Sequence, residues 1–280
     1  MSDSVFVVGA GRVGRGLIKE FQQSGLTVVG ACNRTQESAR GTETATGLTP
    51  VWGRLPDTTA ASVVVLAVPD RAIGSVVQTL VDEGKVTSRQ VVLHVSGAVL
   101  SSRARVSPDC PRAVAAYHPL QTFAAPEEAR RRYHVTLEGE PEAIAVGRRL
   151  AEATGHAVME IDATNKALYH AAATVACNYV VTLQMVALRM AEQAGLPTAE
   201  AQQAFVSLLS GTAAAVEREG LQEGLTGPIA RGDTATVASH LEALDTVDPE
   251  LAALYRALGR RTLELRTEEC EEIRELLQDR

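Results

Sequence analysis

The feature that most constrains the fold is a change of pattern near residue 161. From Val5 to about Ile161, short β-branched runs alternate with stretches of helical composition. That alternation is typical of a doubly wound parallel sheet in an α/β protein. After Asp162 the strand signals stop, and Ala, Leu, Glu, Gln and Arg dominate, which predicts helices alone. We therefore expect an α/β domain over residues 1–161 and an all-α domain over residues 162–280.

Individual elements can be predicted from local runs. The apolar run at 62–68 is continuous, which indicates a strand covered on both faces. The first helix of the second domain, from about Asn165 to Gly195, is long and apolar, so it must be buried either inside the domain or against a second subunit. The predicted strands are 5–8, 27–31, 62–68, 90–95, 113–117, 135–137 and 157–161.

Charge and cysteine usage narrow the class of protein. The net charge of -7 argues against nucleic-acid binding, which needs a clustered Lys/Arg surface, and favours small-molecule partners. The four cysteines are scattered singly, without the spacing of a zinc site or a redox pair. The N-terminus lacks the pattern of a signal peptide, and no uninterrupted run of about 18 apolar residues occurs. We expect a cytoplasmic protein without a membrane span or a bound metal.

A glycine-rich turn follows the first predicted strand and opens the first predicted helix: Gly9-Ala10-Gly11-Arg12-Val13-Gly14. In this context the G-x-G-x-x-G pattern predicts a Rossmann dinucleotide site. The first glycine permits the turn, the second lets backbone approach the pyrophosphate, and the third lets helix and strand pack closely. A glycine-rich turn without a ligand is the alternative.

The end of the second strand indicates which dinucleotide binds. NAD enzymes usually place an Asp or Glu there to bind the ribose hydroxyls. Here the sequence reads Asn33-Arg34-Thr35, with no carboxylate to repel a 2'-phosphate and with a guanidinium that can pair with it. We therefore predict NADP as the cofactor. A surface arginine beside a plain turn is the alternative.

Two later strand ends should meet the cofactor at the carboxyl edge of the sheet. Val68-Pro69 is expected near the nicotinamide ribose, and Ser96-Gly97 near the nicotinamide or the substrate. Either segment could instead simply terminate its strand. His118 follows the next strand at the same edge, where it is a candidate general acid or base, unless it only caps the strand end.

The second domain offers two further groups of polar residues. Lys166, His170 and Asn178 form one broad polar stripe on an otherwise apolar helix, which predicts a ligand, a partner or a buried hydrogen bond for Asn178. The loop that carries Thr226 and Arg231 could bind a carboxylate through the planar guanidinium fork. It could equally be a helix-to-helix connection, with Asp233 as the N-cap of the next helix.

Taken together, these motifs resemble the Rossmann-like proteins whose C-terminal half is the domain of unknown function 2520 (DUF2520). The segments that carry the resemblance are 9–14, 66–70, 94–98, 118–123, 168–172 and 225–233. More distantly, the chain resembles the superfamily of 6-phosphogluconate and β-hydroxyacid dehydrogenases, ketopantoate reductase, pyrroline-5-carboxylate reductase and prephenate dehydrogenase. That resemblance implies NADP-linked hydride transfer, a helical second domain and a homodimer.

Three local similarities point to different chemistries. Lys166 is similar to the catalytic lysine of ketopantoate reductase, although His170 replaces the asparagine that follows it one turn later. His118-Pro119 resembles the His-Pro of prephenate dehydrogenase, and Thr226-Gly227-Pro228 is loosely similar to the Ser-Pro loop of pyrroline-5-carboxylate reductase. Some DUF2520 proteins are regarded as alternative ketopantoate reductases in pantothenate synthesis.

The motifs together with this resemblance imply an NADPH-dependent reductase of a small 2-oxo acid, with ketopantoate as the leading substrate. Lys166 or His170 would donate the proton, Asn178 would orient the substrate, and Arg231 would bind its carboxylate. Two alternatives remain open. One is oxidation of a cyclic hydroxy acid in the manner of prephenate dehydrogenase, with His118 as the base. The other is a non-catalytic, dimeric NADP sensor.

Overall fold

The fold was analysed on a computed structural model that describes residues 3–123 and 132–278. The chain divides into two compact units, Met1–Thr174 and Val175–Arg280. This division falls inside a long helix that begins at Lys166, later in the chain than the change of composition near residue 161. The polar N-terminal turn of that helix therefore belongs to the unit that contains the sheet.

An eight-stranded sheet forms the first unit, in the order β3-β2-β1-β4-β5-β6-β7-β8. All neighbouring strands are parallel except β6 and β7, which are antiparallel. The predicted parallel sheet is therefore confirmed, and the antiparallel pair is an addition that apolar periodicity could not reveal, because it carries no information about strand direction. The strands are β1 (Ser4–Val8), β2 (Thr27–Asn33), β3 (Val51–Trp52), β4 (Val63–Leu66), β5 (Val91–His94), β6 (Ala113–Pro119), β7 (His134–Gly139) and β8 (Ala157–Glu160).

The helices of the first unit cover both faces of the sheet. Apolar side chains of α1 and α4 pack with Val5 and Val7 on one face, whereas those of α3 pack with Phe6 and Val8 on the other. The alternation of side chains along a strand explains this division. The helices of the chain are α1 (Arg12–Gln23), α2 (Gln36–Thr46), α3 (Ile73–Asp82), α4 (Pro141–Ala153), α5 (Lys166–Gln193), α6 (Thr198–Glu223), α7 (Pro228–Arg231), α8 (Thr234–Val247), α9 (Pro249–Leu263) and α10 (Glu271–Leu276).

After β8 the described residues form helices without strands, as the composition predicts. A small core of Ile229, Val237, Leu241, Ile273 and Leu277 holds the later helices together. Asp233 caps α8 by accepting a hydrogen bond from the backbone N–H of Thr236 at 3.1 Å, which confirms the predicted N-cap.

Helix α5 is the largest departure from expectation. Leu168, Val175 and Tyr179 lie on one side of this helix and are 75%, 57% and 56% exposed, while Val181, about 140° away from Leu168, is 69% exposed. Burial of α5 inside its own chain, one of the two predicted alternatives, is therefore wrong. By length and composition alone, the segment Ala163–Gln193 could also cross a membrane, with a mean hydropathy of 1.6 in its most apolar window.

Candidate functional site

The glycine-rich turn joins β1 to α1 at the carboxyl edge of the sheet. Gly9 has a φ of 89°, and a Cβ at this position would lie 2.6 Å from the carbonyl oxygen of Ala67. A Cβ at Gly14 would lie 2.7 Å from the carbonyl oxygen of Gly9, so both residues are required by packing within the chain. Gly11 differs, since nothing in the described structure lies within 4 Å of its Cβ position. The space above Gly11 is therefore open to a ligand.

A buried polar network fixes this turn from below. The carbonyl oxygen of Ala10 accepts a hydrogen bond from Asn33 Nδ2 at 2.9 Å and from Arg15 Nε at 3.2 Å, and Thr42 Oγ1 lies 2.9 Å away. Asn33 Nδ2 also lies 2.8 Å from Ser38 Oγ. Asn33 is only 5% exposed, so its side chain contacts the glycine-rich turn and does not face solvent. Its predicted contact with the cofactor would be indirect.

Arg34 and Thr35 follow β2 at the same edge. Thr35 is the N-cap of α2, where its Oγ1 accepts a hydrogen bond from the backbone N–H of Ser38 at 3.3 Å. The Arg34 side chain is exposed and forms no hydrogen bond or ion pair with any residue in the ranges 3–123 and 132–278. Its guanidinium therefore remains available for an anion.

The segment after β4 touches the glycine-rich turn. A Cβ on Gly9 would lie 2.7 Å from Val68 Cγ1, so Val68 packs directly against this turn. Pro69 is exposed and precedes a 3₁₀ turn that begins at Asp70. Both positions agree with the predicted cofactor-lining segment, although the contact with a cofactor stays a prediction.

A cluster of polar rings lies beside the loop that follows β5. His118 Nδ1 lies 2.6 Å from the hydroxyl of Tyr169, and the His118 and His170 rings are 6.1 Å apart between centroids. A Cβ at Gly97 would lie 2.8 Å from both His118 Nε2 and His170 Nδ1. Ser96 Oγ accepts hydrogen bonds from the backbone N–H groups of Ala98 and Val99. Ser96 thus holds the loop, and the loop closes over the two histidines.

Burial keeps two histidines of this unit uncharged. Burial, together with the positive charges that His170 and Lys166 can carry, lowers the pKa of His118 to about 4. Burial and the charge of Lys166 lower the pKa of His94, at the end of β5, to about 4. His94 Nδ1 accepts a hydrogen bond from the Ser96 backbone N–H at 3.3 Å. At neutral pH both imidazoles are therefore uncharged, and few protein molecules carry the imidazolium form of either ring.

Lys166 forms a buried ion pair instead of facing open space. Its Nζ lies 2.6 Å from Glu138 Oε2, and Lys166 is 2% exposed. Glu138 also accepts hydrogen bonds from the backbone N–H and the hydroxyl of Ser101, at 2.9 and 2.6 Å. Burial alone would raise the pKa of Glu138, but the hydrogen bonds from Lys166 and Ser101 outweigh it and hold the pKa below its ordinary value. Burial lowers the pKa of Lys166.

The remaining predicted site residues lie in the second unit. Asn178 is exposed on α5, about two turns after His170. Thr226 and Arg231 are exposed at the short helix α7, and Arg231 interacts electrostatically with Asp233. Their predicted roles toward a substrate stay predictions.

Sequence reasoning missed Glu138, Ser101 and Tyr169. Tyr169 could have been found, because it is three residues after Lys166 and so lies on the same side of a helix. No spacing or motif in the sequence pointed to Glu138. It opposes Ala116 through the antiparallel pairing of β6 and β7, which local patterns do not predict.

The comparisons with known proteins agree with this architecture. The Rossmann-like domain family matches residues 2–102, and the domain of unknown function DUF2520 matches residues 133–262. The chain therefore combines an N-terminal Rossmann-like domain with a C-terminal DUF2520 domain, which confirms the resemblance of its motifs. None of the curated proteins matches the chain.

Solved structures share the fold over nearly the whole chain. Protein TM1727 from Thermotoga maritima is 23% identical, with a TM-score of 0.73 over 93% of this chain and 97% of its own. A candidate NADP oxidoreductase from Bacteroides fragilis is 23% identical, with a TM-score of 0.72 over 94% and 98%. A pyrroline-5-carboxylate reductase from Coxiella burnetii is 16% identical, with a TM-score of 0.63 over 96% and 100%. At these identities the similarity establishes the fold alone.

Proposed function

We propose that this protein is an NADPH-dependent reductase of a small 2-oxo acid, with ketopantoate as the first substrate to test. One observation carries the proposal. A glycine-rich turn, open above Gly11, and a cluster of proton-carrying rings at His118, Tyr169 and His170 belong to the same unit and flank the carboxyl edge of one sheet. Open α/β sheets bind ligands at this edge. Two of the proteins that share the fold are described as a reductase and a candidate NADP oxidoreductase.

The residues present fit a dinucleotide at this turn. No described residue lies within 4 Å of a Cβ at Gly11, and a side chain there would occupy the space that a pyrophosphate needs. Gly11 is also the N-cap of α1, whose first backbone N–H groups favour a phosphate. A reduced nicotinamide bound there would supply hydride. Arg34 favours NADPH over NADH, since its exposed guanidinium has no partner among the described residues and can bind a 2'-phosphate.

The second unit contributes two further parts of the proposal. Arg231 and Thr226 are proposed to bind the substrate carboxylate, and Asn178 to orient the substrate, because all three are exposed polar groups. The chain is also proposed to form a homodimer through α5 and α6. Leu168 and Val181 on α5, and Leu208 on α6, are 75%, 69% and 67% exposed. Large apolar side chains exposed along two long helices favour a covering partner.

A second copy is a better partner for α5 than a lipid bilayer. The first residue of α5, Lys166, is fixed by Glu138 of the folded sheet, and His170 follows one turn later. Charged and polar groups of this kind are costly within a bilayer. The absence of a membrane span, like the cytoplasmic location, therefore stays part of the proposal.

Calorimetry and a matched pair of assays test this function. The purified protein is expected to bind NADPH with micromolar affinity and to oxidise it when ketopantoate is added. Failure to bind either NADPH or NADH at millimolar concentration would refute the cofactor assignment and everything that follows from it. Binding without turnover of ketopantoate, pyruvate or glyoxylate would favour the non-catalytic sensor.

One observation favours a second candidate function. Because the His118 imidazole is uncharged at neutral pH, it can also act as a base toward a hydroxyl group. Oxidation of a cyclic hydroxy acid such as prephenate would use that property. Reduction of NADP⁺ on addition of prephenate, without any ketopantoate activity, would replace the leading proposal with this one.

A further inference from the structure

Tyr169 is the proton carrier that the sequence did not single out. Its hydroxyl lies 2.6 Å from His118 Nδ1, and the two rings meet edge to face with centroids 5.7 Å apart. With Nδ1 engaged by the phenol, His118 Nε2 is the ring nitrogen that borders Gly97. His170 Nδ1 borders the same position and has no hydrogen-bond partner among the described residues. The arrangement is a chain of proton-carrying atoms: a phenol, an imidazole and a second imidazole.

Lys166 and His118 are poor proton donors in this environment. The ammonium of Lys166 is 2.6 Å from Glu138 in a buried pair, so a proton that left it would break that pair. His118 has a pKa of about 4, so about one protein molecule in a thousand carries the imidazolium at pH 7. Tyr169 differs, because burial raises the pKa of its phenol and keeps it protonated at neutral pH.

We propose that Tyr169 donates the proton to the carbonyl oxygen of the substrate, and that His118 restores it. This inference rests on the proposed reductase function. As hydride reaches the carbonyl carbon, the O–H bond of Tyr169 breaks and its proton joins the carbonyl oxygen, which gives the alcohol. The phenolate then takes the Nδ1 proton of His118, while His118 Nε2 takes a proton from solvent. One hydride and one solvent proton are consumed, and both side chains are neutral again. The imidazole proton then lies on Nε2, and proton exchange with solvent returns His118 to the Nδ1–H tautomer before the next turnover.

This proton relay from His118 to Tyr169 and on to the substrate requires a particular tautomer of His118. For the phenol proton to be free for transfer, His118 must donate its Nδ1–H to the Tyr169 oxygen and leave Nε2 unprotonated. The hydrogen bond at 2.6 Å permits this direction as well as the reverse. Nitrogen-15 NMR of the protein without cofactor distinguishes the two, because a protonated and an unprotonated ring nitrogen have widely separated shifts. A protonated Nδ1 is expected, and a protonated Nε2 would overturn the relay.

The central variant is Tyr169→Phe, which removes one oxygen atom and keeps the ring. General acids contribute roughly 10²- to 10⁴-fold to rate, so kcat should fall by that range while KM and the NADPH dissociation constant stay within about twofold. Tyr179→Phe is the matched control on the same helix, since that tyrosine is 56% exposed, and it should retain full activity. Undiminished kcat in Tyr169→Phe would overturn the proposal.

The pH profile of the unaltered protein gives a test that needs no variant. The groups that face His118 electrostatically are His170 and Lys166 on α5 and Asp70 after β4. With a phenol as donor, kcat/KM should be flat between about pH 6 and 9. A donor imidazolium with a pKa of about 4 would instead lose tenfold activity for each pH unit above that value. Such a loss would reject Tyr169 in favour of His118.

Failure of the inference and failure of the proposed function have different signatures. If the unaltered protein turns over a 2-oxo acid and Tyr169→Phe does so equally well, only the inference fails. If the unaltered protein does not bind NADPH, or binds it and reduces no 2-oxo acid, the proposed function fails and the inference falls with it.

Discussion

The two units of this chain bury their apolar residues to very different extents. In the sheet unit, the side chains of β4 and β5 are entirely buried, from Val63 to Leu66 and from Val91 to His94. In the helical unit, a small core includes Val237 and Ile273, while the long helix α6 exposes Val206, Leu208 and Leu221 by 53%, 67% and 63%. The sheet unit covers most of its own apolar surface, whereas the long helices leave theirs exposed, as the proposed dimer requires. Function should divide the same way, with cofactor chemistry in the sheet unit and assembly in the helices.

The largest expected effect tests the helical side of this comparison. The double substitution Val181→Asp, Leu208→Asp places charges on surfaces that a partner copy would desolvate, which costs several kcal/mol per buried charge. If the proposed dimer forms, these substitutions should convert it to a monomer at micromolar concentration in analytical ultracentrifugation. Trp52→Ser is the control, because Trp52 is an apolar residue of the sheet unit that is 51% exposed. A monomeric unaltered protein would contradict the comparison directly.

The next effect concerns the polar centre of the sheet unit. Lys166→Met leaves the Glu138 carboxylate buried without its cation, which should lower the free energy of unfolding by about 3–5 kcal/mol in urea titrations. Replacing both partners, as Glu138→Gln with Lys166→Met, should recover at least half of that loss, because a neutral amide can still accept from Ser101. Equal decreases in the free energy of unfolding of the single and double variants would show that the Lys166–Glu138 pair does not stabilise this unit.

A third effect is the pH dependence of the stability of the sheet unit. The folded protein keeps His94 neutral down to about pH 4, whereas the unfolded chain takes up a proton below about pH 6.5. Neutral His94 therefore contributes to the free energy of unfolding above pH 6.5, and this contribution is lost as the pH falls toward 4. The loss is about 1.4 kcal/mol per pH unit and roughly 3 kcal/mol in total.

Thermal melting of His94→Gln checks this value. The variant should lose less stability than the unaltered protein between pH 7 and pH 4. His134→Gln, at an exposed position of β7, should keep the full dependence. If the melting temperatures of His94→Gln and of the unaltered protein fall equally with pH, a group other than His94 causes the pH dependence of stability.

The smallest effect sharpens the claim that cofactor binding belongs to the sheet unit. Arg34→Ala removes a charged hydrogen-bond donor worth about 1.5–3 kcal/mol, so NADPH should bind about 10- to 100-fold more weakly. NADH binding should change by less than about twofold in the same calorimetric titration. Arg89→Ala, an exposed arginine just before β5 at the opposite edge of the sheet, should bind both cofactors normally. An equal loss of affinity for NADPH and for NADH would show that Arg34 does not bind the 2'-phosphate.

Much of the fold could be predicted from local sequence, but the candidate site only in part. The glycine-rich turn, the order of strands and helices, and the Asp233 cap were predictable because each depends on neighbouring residues. The short strand β3 was missed, since two residues are too few to show periodicity. His118, Lys166 and His170 were selected by residue type and position. Their environments were not predictable, because Glu138 and Tyr169 reach them through contacts between residues distant in sequence.

The sequence by itself determined a Rossmann-like half, a helical half and the edge of the sheet where ligands would bind, because turn chemistry and periodicity are local. Only the tertiary structure decided that Lys166 is committed to a buried pair, that Asn33 supports the turn from below, and that Tyr169 meets His118. The physical reason is that burial and pairing fix the protonation of a side chain, and both depend on which distant residues surround it.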